Sequence, residues 1–317
     1  MSKRTKIELN LKPATGYRFQ PAGFPNLGAA VFERPASGGG WVKALHVESP
    51  QSMANRLEAT TWDDAEHAQV EALAGIPYVQ IVNADGEFLT SSRLEAHRLA
   101  SAYIMDGEVD GASGSQWISN ALGIVKGAAV DHRQLAAAIF QLDPLSLIHG
   151  VFFARKEWPW QPKVARAVTC FIDADDVRVA ASGGVKTDSV DTRGDTGAGY
   201  GMVPHQRIEY TAQNITAHVT IDRQQIASYG LGLAREELLN ALIDFEVAHL
   251  FGDGGLRLRT ACDLEVISED SGKLPGVAES SQRVAAAVEA VAAGLPGTHT
   301  VKWSGPAKKA GKTDQAS

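Results

Sequence analysis

The chain has 317 residues, of which 44% are hydrophobic and 21% charged, and its formal net charge is −7. This composition predicts an ordinary soluble globular protein that can bury a large core, as one elaborated domain or two smaller ones. A free-standing protein that binds nucleic acid non-specifically usually carries a surplus of basic residues. Any nucleic-acid site on this acidic chain must therefore be a local groove.

Neither a membrane segment nor a cysteine framework is indicated. No stretch reaches the roughly 18 apolar residues of a membrane helix, and residues 1–11 alternate lysine with apolar residues instead of forming a signal sequence. Cys170 and Cys262 lie far apart without CxxC spacing, which argues against a zinc ribbon or a disulfide scaffold. We expect a cytoplasmic protein.

In chain order, the first firm helix start follows an apolar strand at residues 44–48. Ser49 suits the N-cap and Pro50 the first helical position. Met53 and Leu57 can be buried together, while the neighbouring face is polar. That face carries Gln51, Ser52, Asn55 and Arg56. The open backbone amides and the helix dipole make this end suited to a phosphate; a capped helix with its polar face in water is the alternative.

A second strand-to-helix junction with serines at the helix start is predicted at residues 77–100. Strands at 77–82 and 87–90 flank a turn at Asp85–Gly86, and Ser92 and Glu95 then have capping-box spacing. Beyond a helix at 133–142, the apolar run 147–154 has strand length. Gly150 interrupts this run, which indicates a bulge or a close backbone approach.

Residues 155–160 place Arg and Lys beside two tryptophans, and residues 182–205 contain too many glycines for a packed element. The second stretch is predicted to be a long irregular excursion. Its tip would carry Lys186, Arg193 and Tyr200.

The last third is regular. Alternation predicts a strand at 215–221, with 207–210 as its hairpin partner, and another at 256–264 with two arginines on one face. Helices are predicted at 234–250 and 282–293, and a disordered basic tail at 305–317. The interleaved strands and helices favour an α+β fold with a ferredoxin-like or RRM-like core over a doubly wound sheet.

Enzyme motifs are weak. The glycine run 194–201 lacks the GK[ST] and the following helix of a nucleotide loop. His97, His149, His205 and His218 have no metal-ligand spacing, and no nucleophile motif appears. Asp173, Asp175 and Asp176 suit either a metal for phosphodiester cleavage or plain solvated carboxylates. We expect no catalytic residue, cofactor or metal. Basic groups beside aromatic ones are more typical of a groove for single-stranded nucleic acid.

Three stretches carry a resemblance to a known family. They are RFQPAGFPNLGAA at 18–30, VESPQSMANRLE at 47–58 and TSSRLEAHR at 90–98. Shorter matches at 143–150 and 207–210 extend the likeness to about residue 265. In these motifs the chain resembles the backbone subunit of the type I-G (formerly I-U) CRISPR Cascade complex, a RAMP-superfamily protein of the Csb group.

The resemblance implies one elaborated domain over residues 1–304, with an RRM-like palm, finger-like insertions and a thumb near 182–205. It implies that the palm grips guide-RNA backbone through Ser49, Gln51, Ser52, Asn55 and Arg56, helped by Ser91, Ser92, Arg93 and His97. The thumb contacts would be Lys186, Arg193 and Tyr200.

The implied partners are the CRISPR guide RNA, a target DNA strand paired with it, and further copies of the chain. A fused end-capping and guide-processing Cascade subunit and an effector helicase-nuclease complete the set; no membrane is involved. Two alternatives remain open. One is a metal-dependent endoribonuclease of RAMP type that uses the aspartates at 173–176, and the other is a structural subunit that contacts only protein.

Overall fold

The structure is a computed structural model, and it describes residues 3–24, 26–186, 190, 193–198, 201, 203–252 and 255–305. The helices are α1 (Pro50–Ala59), α2 (Ala102–Met105), α3 (Gly114–Ala121), α4 (His132–Leu142), α5 (Leu145–His149), α6 (Arg223–Ser228), α7 (Leu233–Phe251) and α8 (Val277–Val291). The strands are β1 (Thr5–Pro13), β2 (Gly23–Phe24), β3 (Gly28–Ala29), β4 (Val31–Pro35), β5 (Trp41–Glu48), β6 (Trp62–Asp63), β7 (Ala68–Gln69), β8 (Val79–Val82), β9 (Phe88–Ser91), β10 (Glu108–Val109), β11 (Ala112–Ser113), β12 (Val151–Phe152), β13 (Lys163–Val164), β14 (Val168–Asp175), β15 (Arg178–Lys186), β16 (Val203–Thr211), β17 (Asn214–Ile221), β18 (Leu256–Arg259), β19 (Cys262–Val266) and β20 (His299–Lys302).

The largest sheet has seven strands in the order β18-β19-β1-β17-β14-β5-β4. Every neighbouring pair in it is antiparallel. Four adjacent strands of this sheet and two of the helices follow the chain order β1, α1, β14, β17, α7, β19, which is a β-α-β-β-α-β path; β4, β5 and β18 are added at the edges of these four strands. The mixture of helix and sheet confirms the predicted α+β class.

The main sheet is buried on one face only. Along β17, Ile215, Ala217, Val219 and Ile221 are buried, and the residues between them are partly accessible. Helix α1 packs against β14 and against α7, and Met53 and Leu57 of α1 are fully buried. The strand predicted at 215–221 is thus confirmed, with its apolar side toward the helices.

The two ends of the stretch 182–205 differ from its prediction because they form regular strands. Residues 182–186 belong to β15 and residues 203–205 to β16, which pair from Arg178↔Thr211 to Lys186↔Val203. These two strands follow β14 and precede β17, so they form a two-stranded hairpin that extends from the main sheet. The glycine content predicted an irregular chain because glycine has no side chain to pack. The backbones of these glycines still form hydrogen bonds in the ladder.

Other local predictions are also corrected. No helix covers 91–100, where turns lead to a short 3₁₀ segment at Arg98–Ala100. The apolar run 147–154 splits into the end of α5 and β12, and 256–264 forms the β18–β19 hairpin instead of one strand. Residues 207–210 pair with β15, while β17 pairs with β1 and β14. The helices predicted at 133–142, 234–250 and 282–293 are confirmed as α4, α7 and α8.

A second sheet, ordered β11-β10-β20-β8-β9, brings a late strand back to the first third of the chain. Strand β20 lies parallel to β8, with Thr300 opposite Gln80. Residues 306–317, most of the predicted tail, lie outside the described residues. Within the part of the chain that the structure describes, no helix is both long and apolar enough to cross a bilayer.

Helix α1 is held to the sheet edge by Arg56. Its Nη2 donates to Leu258 O at 2.5 Å and its Nη1 to Arg257 O at 3.4 Å. Burial lowers the pKa of the Arg56 guanidinium, and the nearby Glu48 carboxylate partly offsets this shift. The side chain therefore joins α1 to β18 through backbone carbonyls.

We expect Arg56→Ala to lower the free energy of unfolding by about 2 kcal/mol, because hydrogen bonds from a charged donor are lost. Urea denaturation measures the change. The matched control is Asn55→Ala, since Asn55 is exposed and its side chain accepts a hydrogen bond from Gln51 within the same helix. Equal midpoints for the two variants would contradict the anchoring role of Arg56.

A buried ion pair ties the second sheet to the segment before α5. Arg93 Nε lies 3.1 Å from Asp143 Oδ1, and both side chains are almost completely inaccessible. Ser92 Oγ donates to Asp143 Oδ2 at 2.7 Å. Burial raises the pKa of the Asp143 carboxyl, whereas the Arg93 charge and the Ser92 hydroxyl lower it.

Asp143→Ala should destabilise the protein by about 3–5 kcal/mol, because the Arg93 guanidinium would stay buried without a countercharge. A urea unfolding curve tests this, with Glu237→Ala as the control for an exposed pair with Arg283. The double variant Arg93→Met/Asp143→Asn should lose less than the sum of its single variants. Strict additivity would show that the two groups do not interact.

Candidate nucleic-acid interface

The start of α1 is open to solvent. Ser49 is the N-cap in extended conformation, and its side chain accepts from Ser52 N at 3.2 Å. Gln51 and Asn55 are exposed, with Gln51 Nε2 donating to Asn55 Oδ1 at 3.2 Å. The structure thus brings Ser49, Gln51, Ser52 and Asn55 together at an accessible helix end, as the sequence predicts.

A cation from another part of the chain adjoins this helix end. Arg166, which precedes β14, donates through Nη2 to Gln51 Oε1. Burial is the main cause that lowers the pKa of the Arg166 guanidinium, and the charge of Arg98 lowers it further. The charge of Glu58 raises the pKa in part. Two guanidinium groups therefore stand close together beside α1, with one carboxylate nearby.

Gln51, Arg98 and Arg166 line an open groove of about 900 Å³ between the start of α1 and the β12–β13 pair. We call it the basic groove. Its polar and aromatic lining includes Gln51, His97, Arg98, Phe152, Lys163 and Arg166. His97 is exposed there, so its predicted position beside the α1 start is consistent with the structure.

The groove keeps unbalanced positive charge. Arg98 is neutralised by Glu58, to which its Nε and Nη2 donate at 2.5 and 2.6 Å. Arg155 is paired with Asp106 at 2.7 Å. In contrast, no carboxylate in the described ranges lies within 4.0 Å of Lys163 or Arg166.

Gly150 fixes the wall opposite α1. Its φ is +81°, and a Cβ at this position would lie 2.8 Å from Val164 O, so only glycine permits the approach. The close approach predicted at Gly150 is confirmed. The close approach of Gly150 to Val164 allows Phe152 to pair with Lys163 in the β12–β13 ladder. This pairing places both residues along the groove.

The predicted contacts Ser91, Ser92 and Arg93 need correction. Ser91 and Ser92 are 0% exposed and Arg93 only 4%, so none of them faces the groove. Ser92 also accepts from Val79 N at 3.2 Å, and Arg93 Nη2 donates to Pro77 O at 3.3 Å. All three side chains are buried away from the groove, so none of them belongs to the interface.

Arg56 is likewise directed inward, as its two hydrogen bonds to β18 show, and its Nε is buried without a partner. The two arginines of the predicted 256–264 strand both lie in β18, with a register irregularity between them. Arg259 pairs with Glu48 and donates to Gln20 O at 2.7 Å, while Arg257 is exposed. The sheet edge therefore supplies no arginine row.

The predicted thumb residues are described only in part. The backbone of Lys186 ends β15, but its side chain and the whole of Tyr200 lie outside the described residues. Arg193 is exposed and lies between the two strands of the hairpin in sequence. Their role in RNA contact stays a prediction.

The uncovered face of the main sheet carries an aromatic row, but its charges do not suit phosphate. The Phe171 ring lies 6.2 Å from His46 and 4.9 Å from His218 between ring centroids. Carboxylates accompany both histidines, since Asp173 is 2.6 Å from His46 and Glu8 is 3.5 Å from His218. The basic groove is therefore the better candidate.

Two of the three aspartates of the metal alternative, Asp173 and Asp175, already have partners. Asp173 and Asp175 lie in β14, not in a turn, and Asp173 contacts His46. Asp175 accepts two bonds from Arg34, at 2.5 and 2.7 Å. Within the described ranges, no group of three His, Cys, Asp or Glu side chains is arranged to hold a metal ion.

Sequence reasoning missed Phe152, Lys163 and Arg166. Two basic residues, Lys163 and Arg166, lie three positions apart just before a strand and close to the basic and aromatic stretch at 155–160. This pattern could have indicated the site. Nothing in that spacing indicates that β14 would bring Arg166 against Gln51, which is 115 positions away.

Among curated proteins, none is significantly similar to this chain. One solved structure that matches is described as "CRISPR RNA-guided surveillance complex, pre-nicking". It is 10% identical, with a TM-score of 0.37, over 93% of this chain and 90% of that one.

A family model gives a stronger result. The model described as "CRISPR-associated protein GSU0053" matches residues 5–179, which is more than half of the chain. The matched region runs from β1 to the start of β15 and contains every residue named in the lining of the basic groove. The chain therefore belongs to the family of CRISPR-associated protein GSU0053.

Proposed function

We propose that this protein is the CRISPR RNA-binding backbone subunit of a type I-G Cascade surveillance complex. Copies of it would polymerise along the guide RNA and present the guide for pairing with target DNA. Sequence specificity would then belong to the RNA, and the protein would recognise backbone shape and phosphates. The protein itself would catalyse no reaction. Its further partners would be the fused end-capping and guide-processing subunit and the effector helicase-nuclease.

The observation that carries this proposal is the basic groove in a CRISPR-associated protein of net charge −7. Lys163 and Arg166 keep their charge uncompensated beside the accessible start of α1, where Gln51 lines the groove and Ser49, Ser52 and Asn55 lie near it on the same helix end. A positively charged groove with hydrogen-bond donors is the arrangement that follows a single-stranded backbone.

The fold supports the same proposal. The β-α-β-β-α-β path of the main sheet is the one expected of an RRM-like palm. The β15–β16 hairpin is the natural candidate for the thumb, and the segments between α1 and β14 for the fingers. The alternative of a metal-dependent endoribonuclease has no supporting observation, because Asp173 and Asp175 are held by His46 and Arg34.

We expect Lys163→Glu and Arg166→Glu each to lower RNA binding about tenfold, because each removes a charged donor to phosphate. The protein is co-expressed with a CRISPR array and its partner subunits, and the ratio of nucleic-acid to protein absorbance of the purified complex is measured. Both side chains are partly or fully accessible, so folding should be unaffected.

The matched control is Lys126→Glu, which makes the same charge reversal at an exposed lysine between α3 and α4. It should leave the absorbance ratio unchanged. Equal ratios for wild type, Lys163→Glu and Arg166→Glu would refute the groove as the guide-binding surface. A wild-type complex free of nucleic acid would favour the structural subunit that contacts only protein.

The hairpin offers an independent test. Replacing residues 183–206 by Asn-Gly would join Ser182 to Arg207, which face each other in the ladder, and would keep the ion pair of Arg207 with the buried Glu209. The anchoring end would remain, since Tyr210 is buried and its backbone bonds Phe19. We expect an unchanged unfolding midpoint and shorter assemblies on the guide, measured by light scattering. Assemblies of wild-type size would exclude the hairpin as the thumb.

A further inference from the structure

Phe152 is an aromatic side chain held at the surface of the basic groove. Its neighbours Val151 and Phe153 are 5% and 0% exposed, whereas Phe152 is 49% exposed. The alternation of β12 directs it outward, and its pairing with Lys163 and the close approach at Gly150 fix the strand. The ring is therefore presented to the groove by the fold.

The groups around the ring are cationic. Lys163 Nζ lies 5.7 Å from the centroid of the Phe152 ring, and Arg166 and His97 line the same groove. A planar apolar surface next to uncompensated cations matches a nucleotide, whose base has a flat face and whose phosphate is anionic. An apolar protein segment would instead leave Lys163 and Arg166 without countercharge.

We propose that Phe152 is a stacking platform for one unpaired base of single-stranded RNA, whose adjacent phosphates contact Lys163 and Arg166. This inference rests on the proposed function, and it adds a base contact to a surface otherwise suited to phosphate. Because every base has a π face, the contact is independent of sequence. The platform would hold a guide nucleotide in place without selecting its identity.

The test compares two ligands of equal length, an oligouridine and a ribose-phosphate oligomer without bases, bound to the full-length protein. Phe152→Leu keeps an apolar side chain but removes the aromatic face. We expect it to weaken oligouridine binding about fivefold or more and to leave the abasic ligand unchanged. Phe152→Trp should restore binding.

Arg166→Glu, measured in parallel, should weaken both ligands equally. A fluorescent adenine analogue in the oligomer adds a direct readout, because stacking on the ring quenches its emission. Since Phe152 is half exposed, unfolding midpoints of the variants should match the wild type.

The outcomes separate the two proposals. If Arg166→Glu weakens both ligands and Phe152→Leu weakens neither, the groove binds RNA and the stacking platform is wrong. If Phe152→Leu weakens both ligands equally, the ring only shapes the groove wall, and the platform is again wrong. If the wild type binds neither ligand, or binds an acidic peptide in preference, both proposals fail.

Discussion

One buried guanidinium, that of Arg98, holds the two walls of the basic groove together. It makes two hydrogen bonds to Glu58 of α1 and a third, through Nη1, to Gly150 O at 3.1 Å. The residue adopts a φ of +51°, a conformation that costs a non-glycine residue roughly 1–2 kcal/mol. The three hydrogen bonds offset this strain. A buried Arg–carboxylate pair also needs such additional hydrogen bonds to compensate for the loss of solvation.

This arrangement also explains how an acidic protein keeps a positive groove. Glu58 is the carboxylate that acts on both Arg98 and Arg166, but its two oxygens are already occupied by Arg98. Arg166 is consequently left with an amide partner, Gln51, in place of a countercharge. The excess of carboxylates lies elsewhere on the chain. The net charge of the protein therefore does not predict the charge of this groove.

The sequence predicted well those features that depend on neighbouring residues. The Ser49–Pro50 helix start, the helix at 234–250 and the alternation of β17 are local patterns, and all three are confirmed. Ser92 and Arg93 have the same local chemistry as an exposed helix cap. They are buried because Asp143, about 50 positions later, supplies their partner. The basic groove likewise joins segments that no local pattern connects.

The number of uncompensated cations in the groove determines how tightly one protomer could bind RNA. Two cations neutralise about two phosphates, and for a single strand this gives a salt dependence with a slope of only about −1.4. One protomer would therefore hold RNA weakly even with a stacked base. Affinity sufficient for a stable complex would have to come from many protomers on one strand, where each bound neighbour raises the effective concentration of the next site. In the proposed assembly, a weak and sequence-independent site would suit a repeated subunit, because a strong site would trap protomers out of register on the guide.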